Sequence, residues 1–303
     1  MTSTGPLAPP AEVAFLGLGK MGAPMAGHLV AAGYGVRAFD LSADALDAFL
    51  RSHPRARRAG SAAEAAAGAA AAITMLPDGK AVRRALLDAG AAAALGRGGL
   101  VIEMSSSAPV ETQRLGADLA ALGVGVVDAP VSGGVKKAVE AKLAIMAGGE
   151  AALVERARPL LSTLGAAVYA TGPLGSGHAM KALNNYVSAA GLVAACEALL
   201  VGRRFGLDPA LMVDILNGST GRNNSTEVKL KPFILSGTFG SGFSLALMAK
   251  DLRTAADLAE HLGVTAPLSR ATADLWTRAD TALGPASDHT EIFRFLEGAR
   301  DGR

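Results

Sequence analysis

Lys181 and Asn185 stand four positions apart in the stretch GSGHAMKALNN, a spacing that a helix turns onto one face. An amine whose ammonium form is disfavoured by its surroundings can move a proton, and an amide beside it can hold an oxygen. His178, one turn earlier, and Ser188, about one turn beyond, extend the same polar stripe. The other side reads Met180, Leu183, Val187, Ala190 and Ala194, an apolar stripe expected to pack on a core. Alone, the stretch reads better as a solvated face with an ordinary lysine, so its meaning rests on the rest of the chain.

A second group lies near the start. Gly17, Gly19 and Gly22 of GLGKMG have the G-x-G-x-x-G spacing. Glycines there allow a tight turn, a close approach to a pyrophosphate, and packing of the next helix on the strand. The amides at that helix N-terminus then face the phosphates. Glycine is common here, with 37 in the chain, so context has to decide. The motif falls between a strand pattern, VAFLGLG, and a helix pattern, APMAGHLVAAG, and the following strand YGVRAFD ends in Asp40, 21 residues after Gly19. A carboxylate at that point bonds both ribose hydroxyls of NAD and repels the 2′-phosphate of NADP. Leu41 follows it rather than an arginine, so NAD is favoured over NADP.

These groups need elements to hold them. Strand-like and helix-like segments alternate through VAFLGLG, YGVRAFD, AAITMLP, GLVIEMSS and GVGVVDAPV, with Ser42 capping one helix. LAIMAGG and AAVYATG, with a helix between them, complete the set. Alternation of this kind implies a parallel sheet covered on both faces. Past residue 175 the pattern is helical only. The opening stretch runs without a breaker to Phe205, which makes a helix about 45 Å long. Asp208 and Pro209 then read as N-cap and first residue of PALMVDILN, which Gly218 ends, and Asp288 with Glu291 reads as a capping pair for the last helix. The expected organisation is a flexible tail over 1–10, a dinucleotide-binding α/β domain over 11–175, and a helical domain for substrate and dimerisation over 176–303.

Composition excludes several classes of function. The 29 basic and 27 acidic residues leave a formal charge of +2, without the clustered cations of a nucleic-acid or anionic-membrane surface. Arg55, Arg57 and Arg58 read as a solvated turn. The apolar run Ala65–Leu76 is far short of the roughly 20 residues that span a bilayer, and MTSTGPLAPP lacks the features of a signal peptide. The single Cys196 excludes an intramolecular disulfide, fits a reducing cytosol, and falls among apolar residues as a buried, inert thiol. None of the five histidines has metal-ligand spacing, so no metal is expected. The chain reads as a cytoplasmic protein without nucleic-acid or membrane partners.

GLGKMGAPMA, MLPD, DAPVSGG, GSGHAMKALNN, AKDL and DHTEIFRFLE occur in the order seen in the β-hydroxyacid dehydrogenases, and the likeness runs from about residue 12 to residue 297. The resemblance implies a Rossmann-like domain followed by an all-helical domain around a long helix, and a homo-oligomer, dimer or tetramer. It implies an oxidoreductase moving hydride between a small 3-hydroxy acid, or its semialdehyde, and nicotinamide. Lys181 stands at the family's catalytic lysine, Asn185 at its substrate-holding amide, and Ser132, Gly133 and Gly134 at the loop that binds the substrate carboxylate. Gly17, Leu18, Gly19, Met21, Gly22, Asp40, Leu76, Pro77, Ser106 and Lys250 fall at cofactor-contacting positions. The polar stripe is then expected to line the cleft between the domains. Two departures bear on the substrate. VKKAVEAKL after the carboxylate loop carries Ala141 where the family has a glycine, together with Lys136, Lys137 and Lys142. These lysines are surface charges unless Lys136 or Lys137 reaches back over the bound acid. GRNNST, with Arg222 to Thr226, lacks the aromatic residue often seen in that loop of the family. A reductase of this fold acting on another carbonyl or an imine, and a non-catalytic NAD-binding module, are the alternatives.

Overall fold

The computed structural model describes residues 5–298. Its strands are β1 (Glu12–Leu16), β2 (Gly35–Phe39), β3 (Arg57–Arg58), β4 (Ala71–Thr74), β5 (Leu100–Glu103), β6 (Gly125–Asp128), β7 (Val131–Ser132), β8 (Leu143–Gly148) and β9 (Gly165–Gly172). They form one sheet in the order β3-β2-β1-β4-β5-β6-β8-β7, with β9 paired to β8. Strands β1 to β6 are mutually parallel. Val13 and Phe15 of β1 enter one core while Ala14 and Leu16 enter the other. Burial on both faces is why these strands read as continuous apolar runs rather than alternating ones.

The sheet departs from the parallel expectation at β8, which runs antiparallel to β6 and to β7. Between β6 and β8 the chain forms only β7 and the six-residue α7 (Gly134–Val139), with no helix long enough to carry it across a face of the sheet. The covering helices are α1 (Gly22–Ala31), α2 (Ala43–Ser52), α3 (Ala62–Ala66), α4 (Gly79–Arg83), α5 (Ala91–Leu95), α6 (Pro109–Ala121) and α8 (Ala151–Leu164). Ser42 caps α2 as expected, accepting from the Ala45 N–H.

Two expectations for this half are corrected. Residues 1–4 lie outside the described residues, but 5–10 are not a loose tail. Leu7 is buried, its N–H donates to the Arg156 carbonyl, and its own carbonyl accepts from the Tyr34 hydroxyl. One buried leucine with two hydrogen bonds at its backbone anchors the segment. Arg57 and Arg58 are an edge strand beside β2 rather than a turn, and they pair with Glu12 and Asp47.

The chain forms two compact units, 1–181 and 182–303. Helix α9 (Ser176–Phe205) runs through the boundary and is followed by α10 (Pro209–Gly218), α11 (Asn224–Val228), α12 (Leu245–His261), α13 (Pro267–Leu283) and α14 (Ile292–Gly298). Asp208 caps α10, and Asp288 with Glu291 forms the expected capping box. By length and composition α9 could cross a membrane, yet Ala189, Leu192, Cys196 and Leu199 pack it into the core around Trp276.

Burial on α9 is the reverse of the expected pattern. Met180, Leu183 and Val187 are exposed, and the buried line is His178, Ala182, Asn185, Ala189, Leu192, Cys196 and Leu199. Small residues let neighbouring elements approach on that line, and its two polar members are buried because each has polar partners there.

Ala141 adopts φ +53°, in the left-handed region, at the end of α7. An alanine there is strained by roughly 1–2 kcal/mol, part of which glycine would give back as unfolded-chain entropy. Ala141→Gly should therefore raise stability by about 0.5–1 kcal/mol in urea melts followed by circular dichroism.

Candidate active site

Beyond β1 the chain moves to β2 and β3 on one side, and from β4 onward it builds on the other side. The loops leaving the C-terminal ends of β1 and β4 thus diverge, and they open a crevice where ligands bind in sheets of this kind. The glycine motif lies there. Gly17 has φ +102°, and a Cβ on it would fall 2.4 Å from the Met75 carbonyl oxygen. A Cβ on Gly22 would fall 2.0 Å from the Gly17 carbonyl oxygen, whereas at Gly19 nothing lies within 4 Å. Two glycines close the turn against the protein, and the third leaves backbone open to a ligand. Met21 is the N-cap of α1, which carries the turn into the helix.

Asp40, just past β2, is held over this turn. Its Oδ2 accepts from the Leu18 N–H at 2.6 Å and its Oδ1 from the Ser42 N–H at 2.7 Å. Leu41 beside it is 95% exposed. After β4, the Leu76 N–H donates to Ser105 Oγ at 3.0 Å, and that hydroxyl donates to the Thr74 carbonyl at 3.4 Å. The turn of Leu76 and Pro77 is thereby tied to the loop of Ser106. The structure brings together Gly17 to Gly22, Asp40, Leu76, Pro77 and Ser106 at the C-terminal ends of β1, β2, β4 and β5.

Ser132 ends β7 paired with Ala144, and Gly133 (φ +129°) and Gly134 (φ +66°) lead into α7. The lysines that follow are engaged nearby. Lys137 Nζ donates to Glu140 Oε2 at 3.2 Å, and Lys142 lies 3.6 Å from the same oxygen. Lys136 is exposed.

The first turn of α9 contains a cluster that the sequence does not announce, where His178 stands only as part of the polar stripe. His178 is buried against two carboxylates, with Nε2 at 2.9 Å from Glu103 Oε2 and Nδ1 at 3.5 Å from Asp128 Oδ2. Nε2–H is aligned on the Ser105 carbonyl at 3.1 Å, so the Glu103 oxygen meets the cation side-on and has no in-line donor among the described residues. Burial alone would strip the imidazole of its proton. The charge and contact of Glu103, then the charge of Asp128, outweigh it and raise the His178 pKa. Burial would likewise raise Glu103, but His178 pulls it below the usual carboxylate range. At Asp128 burial prevails and the pKa is raised. The signal lay in strand patterns GLVIE and GVGVVD, each ending in an acid as YGVRAFD does at Asp40. A cavity of about 510 Å³ in the same unit is lined by Lys80, Arg83, Ser107, Arg114 and Glu103.

In the helical unit, Asn185 Nδ2 donates to Asp251 Oδ2 at 2.7 Å, and both residues are buried. Lys250 Nζ lies 3.7 Å from Asp251 Oδ1. Asp251 was another omission, although it follows Lys250 directly in AKDL. Further along α9, Lys229 Nζ donates to Ser188 Oγ at 3.3 Å, and burial lowers this lysine to about 8. Cys196 is buried and burial pushes its thiol up to about 12, which makes it inert. Among the described residues no group of three or more potential ligands could hold a metal ion.

The family described as the NAD binding domain of 6-phosphogluconate dehydrogenase matches residues 12–172. That described as NAD-binding of NADP-dependent 3-hydroxyisobutyrate dehydrogenase matches 175–296. A probable 3-hydroxyisobutyrate dehydrogenase of Mycobacterium tuberculosis is 37% identical over 92% of this chain and 94% of its own. An NAD-dependent L-serine dehydrogenase of Pseudomonas aeruginosa is 36% identical over 85% of this chain and 88% of its own. The structure of the M. tuberculosis 3-hydroxyisobutyrate dehydrogenase with L-serine superposes with a TM-score of 0.87 at 36% identity, covering 94% of this chain and 99% of that one. A glycine turn of this geometry on a parallel-dominated sheet is a dinucleotide site, and the two matched families make the chain a nicotinamide-dependent oxidoreductase. Within that class, the chain is a member of the β-hydroxyacid dehydrogenase family.

The glycine geometry separates two variants. Gly22→Ala forces a methyl onto the Gly17 carbonyl and should cost about 1–3 kcal/mol of stability. Gly19→Ala should melt like the parent while losing NADH affinity, as measured by fluorescence titration; unchanged affinity would contradict a ligand-facing Gly19.

The His178 cluster sets a second expectation. With its folded pKa raised above the ordinary 6.5, His178 stabilises the fold fully below pH 6.5, and that contribution is lost as pH rises through the raised value. Urea midpoints should thus fall on the alkaline side more steeply in the parent than in His178→Gln.

Proposed function

We propose that the chain is an NAD-preferring dehydrogenase that moves hydride between a small 3-hydroxy acid, or its semialdehyde, and the nicotinamide. The observation that carries this reading is Lys181, on α9 one turn before Asn185, whose amide is oriented by Asp251. The relatives support the substrate class. L-serine and 3-hydroxyisobutyrate, the compounds in their names, share a carboxylate and a hydroxyl on the third carbon.

The residues fit a nicotinamide dinucleotide. Gly17, Leu18, Gly19, Met21 and Gly22 offer an open turn for a pyrophosphate, with Gly19 free of neighbours within 4 Å. Asp40, fixed by the Leu18 and Ser42 amides, accepts ribose hydroxyls; Leu76, Pro77, Ser106 and Lys250 complete the set. When bound, the nicotinamide supplies the hydride acceptor. Lys181 in its neutral form takes the hydroxyl proton as the alcohol carbon is oxidised, and as an ammonium it returns a proton to the carbonyl oxygen in the reverse direction. Asn185 holds the reacting oxygen, and Ser132 with the amides of Gly133 and Gly134 takes the carboxylate. The ion pairs of Lys137 and Lys142 with Glu140 favour a solvating role for these two lysines.

We further propose a homo-oligomer, supported by the exposed apolar residues Val187, Val201, Phe205, Leu211 and Ile215 along α9 and α10. A cytoplasmic location is supported by a single, buried, reduced cysteine.

Lys181→Ala should lose on the order of 10²–10⁴ in turnover of 3-hydroxy acids while still binding NADH; near-parent turnover sinks the mechanism. Asp40→Arg should move the kcat/KM ratio toward NADP, because it replaces a charge that repels the 2′-phosphate with one that attracts it. Equal use of both coenzymes by the parent would contradict the role given to Asp40.

A further inference from the structure

Glu103 and Asp128 are paired in register on the adjacent parallel strands β5 and β6, and both are fully buried. Neighbouring strands lie about 4.8 Å apart, so two carboxylates end side by side where water does not reach. His178 drops between them. Its two ring nitrogens face only acceptors. Nε2 meets the Ser105 carbonyl and the Glu103 carboxylate, and Nδ1 meets Thr112 Oγ1 at 2.9 Å, whose own hydrogen goes to the Ala108 carbonyl. A ring flanked by acceptors at both nitrogens needs a proton on each.

The backbone of the same turn is fastened too. The Gly175 and His178 N–H groups donate to the two Asp128 oxygens, each at 2.8 Å. A Cβ on Gly177 would fall 2.2 Å from the Met146 carbonyl, so the helix start sits tight on the strand ends. Lys181 is three residues further on, and the loops of Ser106 and Ser132 leave from these strand ends.

We infer that His178 is a positioning residue: a buried cation that locks the first turn of α9, and Lys181 with it, to the ends of β5 and β6. This rests on Lys181 acting on the substrate as proposed above. The groups facing the imidazole are Glu103 from β5, Asp128 from β6, the Ser105 carbonyl just past β5 and the Thr112 hydroxyl from α6.

The test compares the parent with His178→Ala, His178→Gln and Lys181→Ala. Melting temperature, NADH Kd, kcat and KM are measured, and the parent's ring protonation is followed by imidazole ¹⁵N NMR. Expected are a loss of at least tenfold in kcat for His178→Ala, with NADH Kd and KM within twofold, and partial recovery in His178→Gln, which restores one donor. The parent's His178 should carry both protons at pH 7. Parent-like kcat in a folded His178→Ala, or in His178→Gln if the alanine variant does not fold, overturns the inference, as does a neutral ring at pH 7. A kcat loss matched by an equal weakening of NADH binding also overturns it, because that is general loosening of the unit. Parent-like turnover in Lys181→Ala removes the reading on which the inference rests. Loss in Lys181→Ala with none in the His178 variants removes this inference alone.

Discussion

Two acids that cannot both be charged without a cation between them define the centre of the first unit. Glu103 and Asp128 end neighbouring strands whose every other residue is apolar or glycine, and His178 from the start of α9 sets its ring between them. A buried ion group of this kind contributes little to net stability compared with an apolar replacement, yet removing a single member leaves an uncompensated charge. It therefore acts more as a registration device than as a source of stability. The helix can begin at only one height and rotation against the sheet.

The same logic recurs at smaller scale. Asp40 is fastened by the amides of Leu18 and Ser42, and the Leu76 turn is tied through Ser105 to the next strand end. Asp251 likewise orients Asn185. In each case a group near a strand end or on a helix is held by hydrogen bonds to a second residue.

Much of this was legible in the sequence because local rules sufficed. The alternation of apolar runs with capped helices, the change of texture at residue 175 and the caps at Ser42, Asp208 and Asp288 follow from short-range chemistry. The glycine spacing with Asp40 pointed to a dinucleotide turn for the same reason. What was not legible depended on neighbours distant in sequence. Helical periodicity identifies a polar and an apolar stripe on α9, but which stripe is buried depends on what it meets. His178 meets acids from 75 and 50 positions earlier, and Asn185 meets one 66 positions later. The apolar stripe of Met180, Leu183 and Val187 is instead left at the surface. The antiparallel turn of β8 and the anchoring of Leu7 escaped for the same reason.

The placement of two single residues has a consequence for spectroscopy. Trp276 is the only tryptophan and Cys196 the only cysteine, and both lie in the core of the helical unit. Intrinsic emission excited at the indole band and thiol-labelling kinetics therefore both monitor the helical unit and are blind to the sheet. If the two units open at different denaturant concentrations, these optical and chemical probes would coincide with each other and still miss the first transition. Agreement between them is then no evidence of two-state behaviour, and a backbone signal that includes the strands is needed to establish it.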